Sequence, residues 1–306
     1  MKKAFLFSGQ GAQYPGMGKD LYDNFEEARE IFDKANDILG WDVKEVCFTD
    51  ANGVINQTRY TQPALFTTIM AAYYVTIKNG ITADAFVGFS LGEISALVAS
   101  EILSFEDGLK LVEARAKFME EAAIKTKGGM SAVIGLAPEI VAEVCMHLNQ
   151  VTLANDNCPG QVVISGDLRE LEKANVFLKD KGAKRVLPLK VSGAFHSPLM
   201  NDAKEKLALE IRNFNFNEPT TKIVSNVSAK YMTKDEAIEF LPEQVVTGVR
   251  FRESINLLIE DGFDTFIEIG VKKTLIGFVN KISKDIQTYN IEDTKTLNQT
   301  IEALKM

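Results

Sequence analysis

The chain has 306 residues, of which 46% are hydrophobic and 25% charged, a composition typical of ordinary globular proteins. Its 34 lysines and arginines against 42 aspartates and glutamates give a net charge of −8, which argues against sequence-independent binding of nucleic acid. Since no apolar run approaches the ~20 residues that span a bilayer, and the three scattered cysteines indicate neither a zinc site nor a disulfide framework, we expect a cytoplasmic protein.

Short apolar runs alternate with amphipathic stretches along the first part of the chain. This order is typical of an α/β protein with a parallel sheet. Strands are predicted at 4–7 and 84–87, and helices at 20–39, 62–77, 93–100 and 105–123. The helix 62–77 is expected to start at Pro63, because proline is tolerated in a first turn.

A compact series of shorter elements follows residues 125–129. The predicted elements are a strand 130–135, a helix 138–149, strands 151–155 and 161–165, a helix 168–181 and a strand 184–189. This β-α-β-β-α-β order is ferredoxin-like. Longer helices then return, with strands at 222–227 and 265–269. We therefore predict a small domain, 126–198, inserted into a large domain made of 1–125 and 199–306.

The sharpest local signal is Gly88-Phe89-Ser90-Leu91-Gly92, which matches G-x-S-x-G between a predicted strand and a predicted helix. Glycines are expected on both sides, because a strand that turns sharply into a helix brings neighbouring backbone too close for side chains. The N–H of Leu91 at the helix start can stabilise an oxyanion. The pattern predicts Ser90 as a nucleophile; the alternative is an ordinary turn that contains a serine.

A serine nucleophile needs a general base, and the chain has two histidines. His147 lies inside a predicted helix, where a packed or surface role is favoured. His196 follows a strand and precedes a helix, with Gly193 and Pro198 fixing the turn, and catalytic groups are often mounted on such loops. His196 is therefore the predicted base. Since no Asp or Glu has a comparably distinctive setting, a backbone carbonyl is a candidate for orienting its second nitrogen.

A second glycine-rich loop, residues 8–18, follows the first strand. It fails as a dinucleotide fingerprint because Tyr14 stands where glycine is required, and as a phosphate loop because Met17 stands in place of lysine. The loop is better suited to placing a backbone N–H beside a nucleophile. We expect Gln10 to supply the second oxyanion donor; a plain tight loop is the alternative.

Arg115 has alanines on both sides in an otherwise apolar helix. Composition alone favours an exposed arginine paired with Glu113 or Glu120. Its position by itself indicates no catalytic role.

Together these motifs resemble the malonyl-CoA:acyl-carrier-protein transacylase family, acyltransferases that load fatty-acid and polyketide synthases. The resemblance covers nearly the whole chain, and the ordered set is far more specific than any single motif. In chain order the motifs are Phe7-Ser8-Gly9-Gln10-Gly11-Ala12-Gln13, Thr61-Gln62-Pro63-Ala64, Gly88-Phe89-Ser90-Leu91-Gly92-Glu93, Arg115, Asn155 with Pro159-Gly160-Gln161-Val162-Val163-Ile164-Ser165-Gly166, Gly193-Ala194-Phe195-His196-Ser197 and Ser225-Asn226-Val227.

The resemblance implies a hydrolase-like large domain that carries the nucleophile, with the ferredoxin-like domain as its insertion and the catalytic histidine near the end of that insertion. It implies Ser90 as the nucleophile and His196 as general base and later general acid. The backbone N–H groups of Gln10 and Leu91 would form the oxyanion hole, and Arg115 would pair with the free carboxylate of the malonyl group.

The same resemblance implies three further roles. The backbone carbonyl of Arg250 would orient His196, and Phe195 and Asn155 would belong to the acyl pocket, with Phe195 favouring malonyl over methylmalonyl. One departure from the family is Phe89, which stands in the elbow where histidine is frequent.

The implied reaction transfers a malonyl group from malonyl-CoA to the phosphopantetheine thiol of an acyl carrier protein, with no cofactor and no metal. We expect a monomer that binds neither nucleic acid nor membrane. The residues leave three alternatives: a serine hydrolase that sends its acyl-enzyme to water, an acyltransferase for a different acyl group, and a docking module without activity.

Overall fold

Two sheets organise the chain in the computed structural model, which describes residues 1–305. The strands in this range are β1 Lys3–Phe7, β2 Ala85–Gly88, β3 Gly128–Ile134, β4 Val151–Cys158, β5 Gln161–Asp167, β6 Arg185–Pro188, β7 Lys222–Val224, β8 Thr265–Ile269 and β9 Gln287–Ile291. The α-helices are α1 Lys19–Asn24, α2 Glu26–Leu39, α3 Val43–Phe48, α4 Thr58–Lys78, α5 Leu91–Ala99, α6 Phe105–Lys125, α7 Pro138–Met146, α8 Leu168–Asp180, α9 Asn201–Glu210, α10 Lys234–Gln244, α11 Phe251–Glu260, α12 Thr274–Ile282 and α13 Thr294–Leu304.

The larger sheet is parallel, with the strand order β7-β2-β1-β8-β9. Successive side chains of a strand point to opposite faces. Phe5 and Phe7 of β1 accordingly pack into the layer that holds α2, α4, α5 and α6, whereas Leu6 packs into the layer that holds α11 and α12. Both faces of the sheet are therefore buried. This arrangement places the loops that follow β1 and β2 at one edge, where α/β proteins commonly bind ligands.

The smaller sheet is antiparallel, with the order β4-β5-β3-β6, and α7 and α8 share its hydrophobic core. Its elements follow one another as β-α-β-β-α-β, and each begins and ends within three residues of its predicted bounds. The predicted fold class, a parallel α/β domain with an inserted ferredoxin-like unit, is confirmed. The domain boundaries at 126 and 198 stay predictions.

Two predicted helices differ from the observed ones. The helix predicted over 20–39 is two helices, because Phe25 adopts an extended conformation (φ −128°, ψ 133°) between α1 and α2. The helix predicted to start at Pro63 begins at Thr58 instead, so that the proline lies inside α4. A proline inside a helix removes one backbone hydrogen bond, at about 3 kcal/mol. The residues on both sides of Pro63 are buried, and their packing offsets that cost.

The strand predicted over 222–227 ends at Val224. Ser225 and Asn226 turn away from the sheet: the Ser225 N–H donates to the Lys230 carbonyl, and Asn226 contacts the turn after β2. The shortened strand thereby delivers a polar side chain to the candidate site.

No helix within residues 1–305 has the length and apolar character needed to cross a membrane.

Candidate active site

Ser90 lies at the sharp turn between β2 and α5. Its backbone (φ 52°, ψ −106°) is in a conformation that a non-glycine residue keeps only when the surrounding structure enforces it. A Cβ on Gly88 would lie 2.0 Å from the Glu93 amide nitrogen, and a Cβ on Gly92 would lie 2.0 Å from the Phe7 carbonyl oxygen. Side chains are therefore excluded on both sides of the serine.

The side chain of Asn226, which follows β7 in the chain, stabilises this turn through hydrogen bonds. Its Oδ1 accepts a hydrogen bond from the Ser90 N–H at 2.8 Å, and its Nδ2 donates to the Gly88 carbonyl at 2.6 Å. Its own backbone N–H donates to Glu93 Oε1 at 2.7 Å. One side chain thus satisfies the N–H of the strained residue and the carbonyl two residues before it.

His196 reaches the serine from the other side of the site. The distance between Ser90 Oγ and His196 Nε2 is 2.8 Å. The histidine Nδ1 lies 2.8 Å from the Gln244 carbonyl oxygen and 3.0 Å from the Thr247 carbonyl oxygen. Because carbonyls only accept, these two contacts place the proton on Nδ1 and leave Nε2 free to accept the serine O–H. His147, in contrast, caps the exposed end of α7.

The prediction that Arg250 supplies the orienting carbonyl is wrong. That carbonyl accepts from the Ser254 N–H at 3.0 Å and from the Ser254 hydroxyl at 2.9 Å. The reason is that Arg250 is the N-cap of α11, so its carbonyl belongs to the first helical turn. The carbonyls that contact His196 instead come from the end of α10 and the loop that follows it.

Burial decides the charge of the histidine. Burial and, less strongly, the positive charge of Arg115 together lower the pKa of His196 to about 4, against a smaller opposing effect of the two carbonyls. The imidazole is therefore neutral near pH 7, which is the form that can act as a base.

Arg115 lies in the same site and is 2% exposed. Its Nη1 donates to Gln62 Oε1 at 2.7 Å, while its Nη2 donates to Gln244 Oε1 at 2.8 Å and to Ser90 Oγ at 3.1 Å. Burial lowers the pKa of Arg115 to about 10, so the guanidinium stays charged. The surface pairing that composition favoured is therefore wrong, and the cation is held by neutral partners only.

A cavity of about 150 Å³ opens at these groups. Leu91 opens α5, so its N–H has no acceptor inside the helix. The carboxamide of Gln10 donates to Thr58 Oγ1 and accepts from Gln62 Nε2, both at 3.3 Å. The predicted site residues that line the cavity are Gln10, Ser90, Arg115, Asn155, Phe195 and His196. Their roles in catalysis stay predictions.

Known proteins share this architecture. Residues 4–299 match the acyl transferase domain family. The malonyl CoA-acyl carrier protein transacylase of Bacillus subtilis strain 168 is 43% identical, over 99% of this chain and 98% of the relative. The chain belongs to that transacylase family. The crystal structure of the Clostridium perfringens transacylase is 45% identical, covers 100% of this chain and 98% of its own, and superposes with a TM-score of 0.96.

A malonyl-transacylase solved in complex with a type II PKS acyl-carrier protein is 34% identical. It covers 99% of this chain and 100% of its own, with a TM-score of 0.96. The resemblance inferred from the motifs is confirmed, and the chain is an acyltransferase.

The transacylase site contains supporting residues to which the sequence analysis gave no role. Gln62 and Asn226 stand inside motifs that marked the family, so a signal for them was present. Glu93 likewise follows the serine motif, and it is 1% exposed. Gln244 stands in no such motif, and only the fold brings it beside Arg115.

The departure at Phe89 has a structural counterpart. Its ring packs edge-on against Phe251 at 5.5 Å between centroids and tilted against Phe278 at 6.4 Å. Phe89 also lines the cavity. Phe89 therefore packs against the hydrophobic layer that holds α11 and α12, and it also forms one wall of the site.

Proposed function

We propose that this transacylase moves a malonyl group from malonyl-CoA to the phosphopantetheine thiol of an acyl carrier protein, through a malonyl ester on Ser90, for fatty-acid or polyketide synthesis. The observation that carries the proposal is the position of one hydroxyl: Ser90 Oγ lies within hydrogen-bond distance of both His196 Nε2 and the buried guanidinium of Arg115. A nucleophile, its base and a carboxylate-binding cation thus meet at one atom.

In the first half-reaction, His196 Nε2 takes the proton from Ser90 Oγ as the oxygen attacks the thioester carbonyl. The N–H groups of Gln10 and Leu91 stabilise the resulting oxyanion. When the tetrahedral intermediate collapses, the C–S bond breaks, and the CoA thiolate takes the proton from His196. The malonyl group is then an ester of Ser90.

The second half-reaction reverses these roles. His196 accepts the proton of the carrier thiol, whose sulfur attacks the ester carbonyl. The C–O bond to Ser90 breaks, and the serine oxygen recovers the proton from the imidazolium. Since each half-reaction ends with neutral histidine, the cycle needs no additional acid, cofactor or metal.

Arg115 gives the site its preference for malonyl. Its present partners are two carboxamide oxygens and a hydroxyl, none of them ionised, and its buried Nε has no hydrogen-bond acceptor within residues 1–305. A guanidinium matches a carboxylate in charge and shape. The malonyl carboxylate supplies that partner, whereas an acetyl group leaves the cation uncompensated.

Intact-mass measurement after mixing the protein with malonyl-CoA tests the proposal. We expect wild-type protein to gain one malonyl group and Ser90→Ala to gain none. Adding an acyl carrier protein should discharge the malonyl enzyme onto the carrier. Rapid release of free malonate without a carrier would instead support the hydrolase, and a wild-type protein that never gains the malonyl mass would contradict the proposal.

We place the carrier on the edge strand β6. The exposed residues of this strand and of its flanks include three basic and two apolar side chains: Lys184, Arg185, Leu187, Leu189 and Lys190. Lys190 and Leu189 also line the cavity, so this surface continues into the site. Acyl carrier proteins are acidic, and a local basic strip on an acidic chain supplies complementary charge.

Charge reversal tests this surface. Lys184→Glu should raise the KM for the carrier about tenfold while leaving malonyl loading of Ser90 unchanged. Lys34→Glu, the same substitution at an exposed position on α2, is the control. A KM for the carrier that is equal in both variants would rule out this docking surface.

The serine, the histidine and the arginine all come from one chain, which supports a monomer that is complete without a second copy. The bacterial relatives and the use of malonyl-CoA support a cytoplasmic location.

A further inference from the structure

Glu93 lies behind the site, at the start of α5, with its side chain buried. Its Oε1 accepts a hydrogen bond from the Asn226 backbone N–H at 2.7 Å, and its Oε2 accepts from Gln244 Nε2. The proposed reaction gives this carboxylate no role. Burying a carboxylate costs free energy, so its presence beside the site raises the question of what it does there.

The carboxamide of Gln244 connects Glu93 to the site. Its Nε2 donates to Glu93 and, at 2.9 Å, to the Ser90 carbonyl. Its Oε1 accepts from Arg115 Nη2 at 2.8 Å. An ionised carboxylate only accepts hydrogen bonds, whereas a guanidinium only donates them. These two neighbours therefore permit one orientation of the carboxamide, with nitrogen toward Glu93 and oxygen toward Arg115.

We propose that Glu93 is a positioning residue for Arg115: by fixing the carboxamide of Gln244, it holds the guanidinium in place for the free carboxylate of the acyl group. The inference rests on the proposed malonyl transfer. The charges agree with this geometry. Burial lowers the pKa of Arg115, whereas the negative charge of Glu93 raises it and so favours the charged guanidinium. Gln244 separates the two charges, so the cation remains available to the substrate.

Glu93→Gln removes the charge and keeps the shape. The new side chain carries one oxygen and one NH₂ group, but both of its neighbours, the Asn226 N–H and the Gln244 NH₂, are donors. One donor therefore faces another donor unless the Gln244 carboxamide turns, and the turned carboxamide presents its NH₂ group to Arg115. The Asn226 N–H belongs to the backbone and cannot turn, so the oxygen of the new side chain stays toward it. The Gln244 carboxamide is therefore the group that turns, and the contacts around the guanidinium are the ones disturbed.

The test compares malonyl-CoA with acetyl-CoA at about pH 8, where Glu93 is ionised although burial raises its pKa to about 7. For Glu93→Gln we expect the KM for malonyl-CoA to rise about 10–100-fold, the range for losing a hydrogen bond to a charged group. The kcat/KM for acetyl-CoA should be unchanged or higher, because an acetyl group does not use Arg115. Glu106→Gln, an exposed glutamate on α6 paired with Lys110, is the control and should keep the wild-type ratio.

A second variant separates positioning from support of the fold. Gln244→Leu removes the carboxamide but keeps the backbone carbonyl that binds His196. It should lower the malonyl/acetyl ratio as Glu93→Gln does, and the double variant should show no further loss. Equal falls in kcat/KM for both thioesters, with the ratio retained, would overturn the inference. If Glu93→Gln does not fold, an unchanged ratio in Gln244→Leu overturns it.

Arg115→Ala distinguishes this failure from a failure of the proposed function. If Arg115→Ala loses the malonyl preference while Glu93→Gln keeps it, the positioning role is wrong and malonyl transfer stands. If Arg115→Ala also keeps the preference, the proposed carboxylate role itself is wrong.

Discussion

The serine side and the histidine side of the site are built by different means. On the serine side, part of what enforces the turn lies close in sequence, since a side chain on Gly88 would strike the Glu93 amide, and distant hydrogen bonds from Asn226 complete it. On the histidine side, His196 is oriented by the carbonyls of Gln244 and Thr247, which lie 48 and 51 positions away. The steric requirement at Gly88 is therefore local, whereas the orientation of His196 depends entirely on how distant segments pack.

Arg115 joins the two sides. It donates to the hydroxyl of Ser90 and to the side chain of Gln244, whose backbone carbonyl orients His196. The cation is therefore positioned by both kinds of support. Substitutions that change one of these groups at a time should separate three effects: the preference for malonyl, the stability of the turn at Ser90, and proton transfer by His196.

The largest effect is expected from Arg115→Ala, which removes the group shared by both sides. An unpaired buried charge costs about 3–5 kcal/mol, so the wild-type preference for malonyl-CoA over acetyl-CoA should fall by about 10²–10³-fold. The measurement is the ratio of kcat/KM for the two thioesters. Retained or increased acetyl transfer shows that the serine and histidine still work, and an unchanged ratio would contradict the carboxylate role.

A smaller effect is expected from Asn226→Ala, which removes two distant hydrogen bonds of the serine turn. The Ser90 N–H and the Gly88 carbonyl then lose their partner, at about 1–3 kcal/mol for a buried group left unsatisfied, or roughly 10–100-fold in the rate of Ser90 acylation. Because the change acts on the turn, malonyl and acetyl transfer should fall together. Asn217→Ala, at an exposed asparagine, should change neither rate.

This difference between the two sides explains what the sequence could predict. The glycines around Ser90 leave a local pattern, and the setting of His196 between glycine and proline is equally local. The orienting carbonyl leaves no side-chain signal, which is why Arg250 was the wrong choice. Gln244 was missed because its role depends entirely on the end of α10 reaching the serine turn.

The helices and strands were likewise predicted where local sequence determines them and missed where distant contacts do. The alternation of apolar strands and helices predicted every strand of the two sheets except β9, which was missed. The start of α4 was misplaced because Pro63 resembles a first-turn residue, although tertiary burial extends the helix to Thr58. The strand at 222–227 was too long because Asn226 leaves the sheet for the serine turn.

The smallest effect concerns the pH dependence of the base. Burial and the charge of Arg115 lower the pKa of His196 to about 4, so neutral imidazole persists well below the ordinary value near 6.5. The kcat/KM for acetyl-CoA should therefore change little between about pH 7 and pH 5.5 and fall only as the pH approaches that lowered pKa.

Acetyl-CoA is the appropriate substrate because the malonyl reaction also depends on Glu93, whose pKa burial raises to about 7. In Arg115→Ala the cation that opposes protonation of His196 is gone, so the acid limb should move to higher pH. A limb that stays in place would mean that burial alone sets the charge of the histidine. If the kcat/KM of the wild-type protein for acetyl-CoA instead fell near pH 6.5, water would reach the imidazole freely. The packing of distant segments around His196 would then not bury it as its contacts indicate.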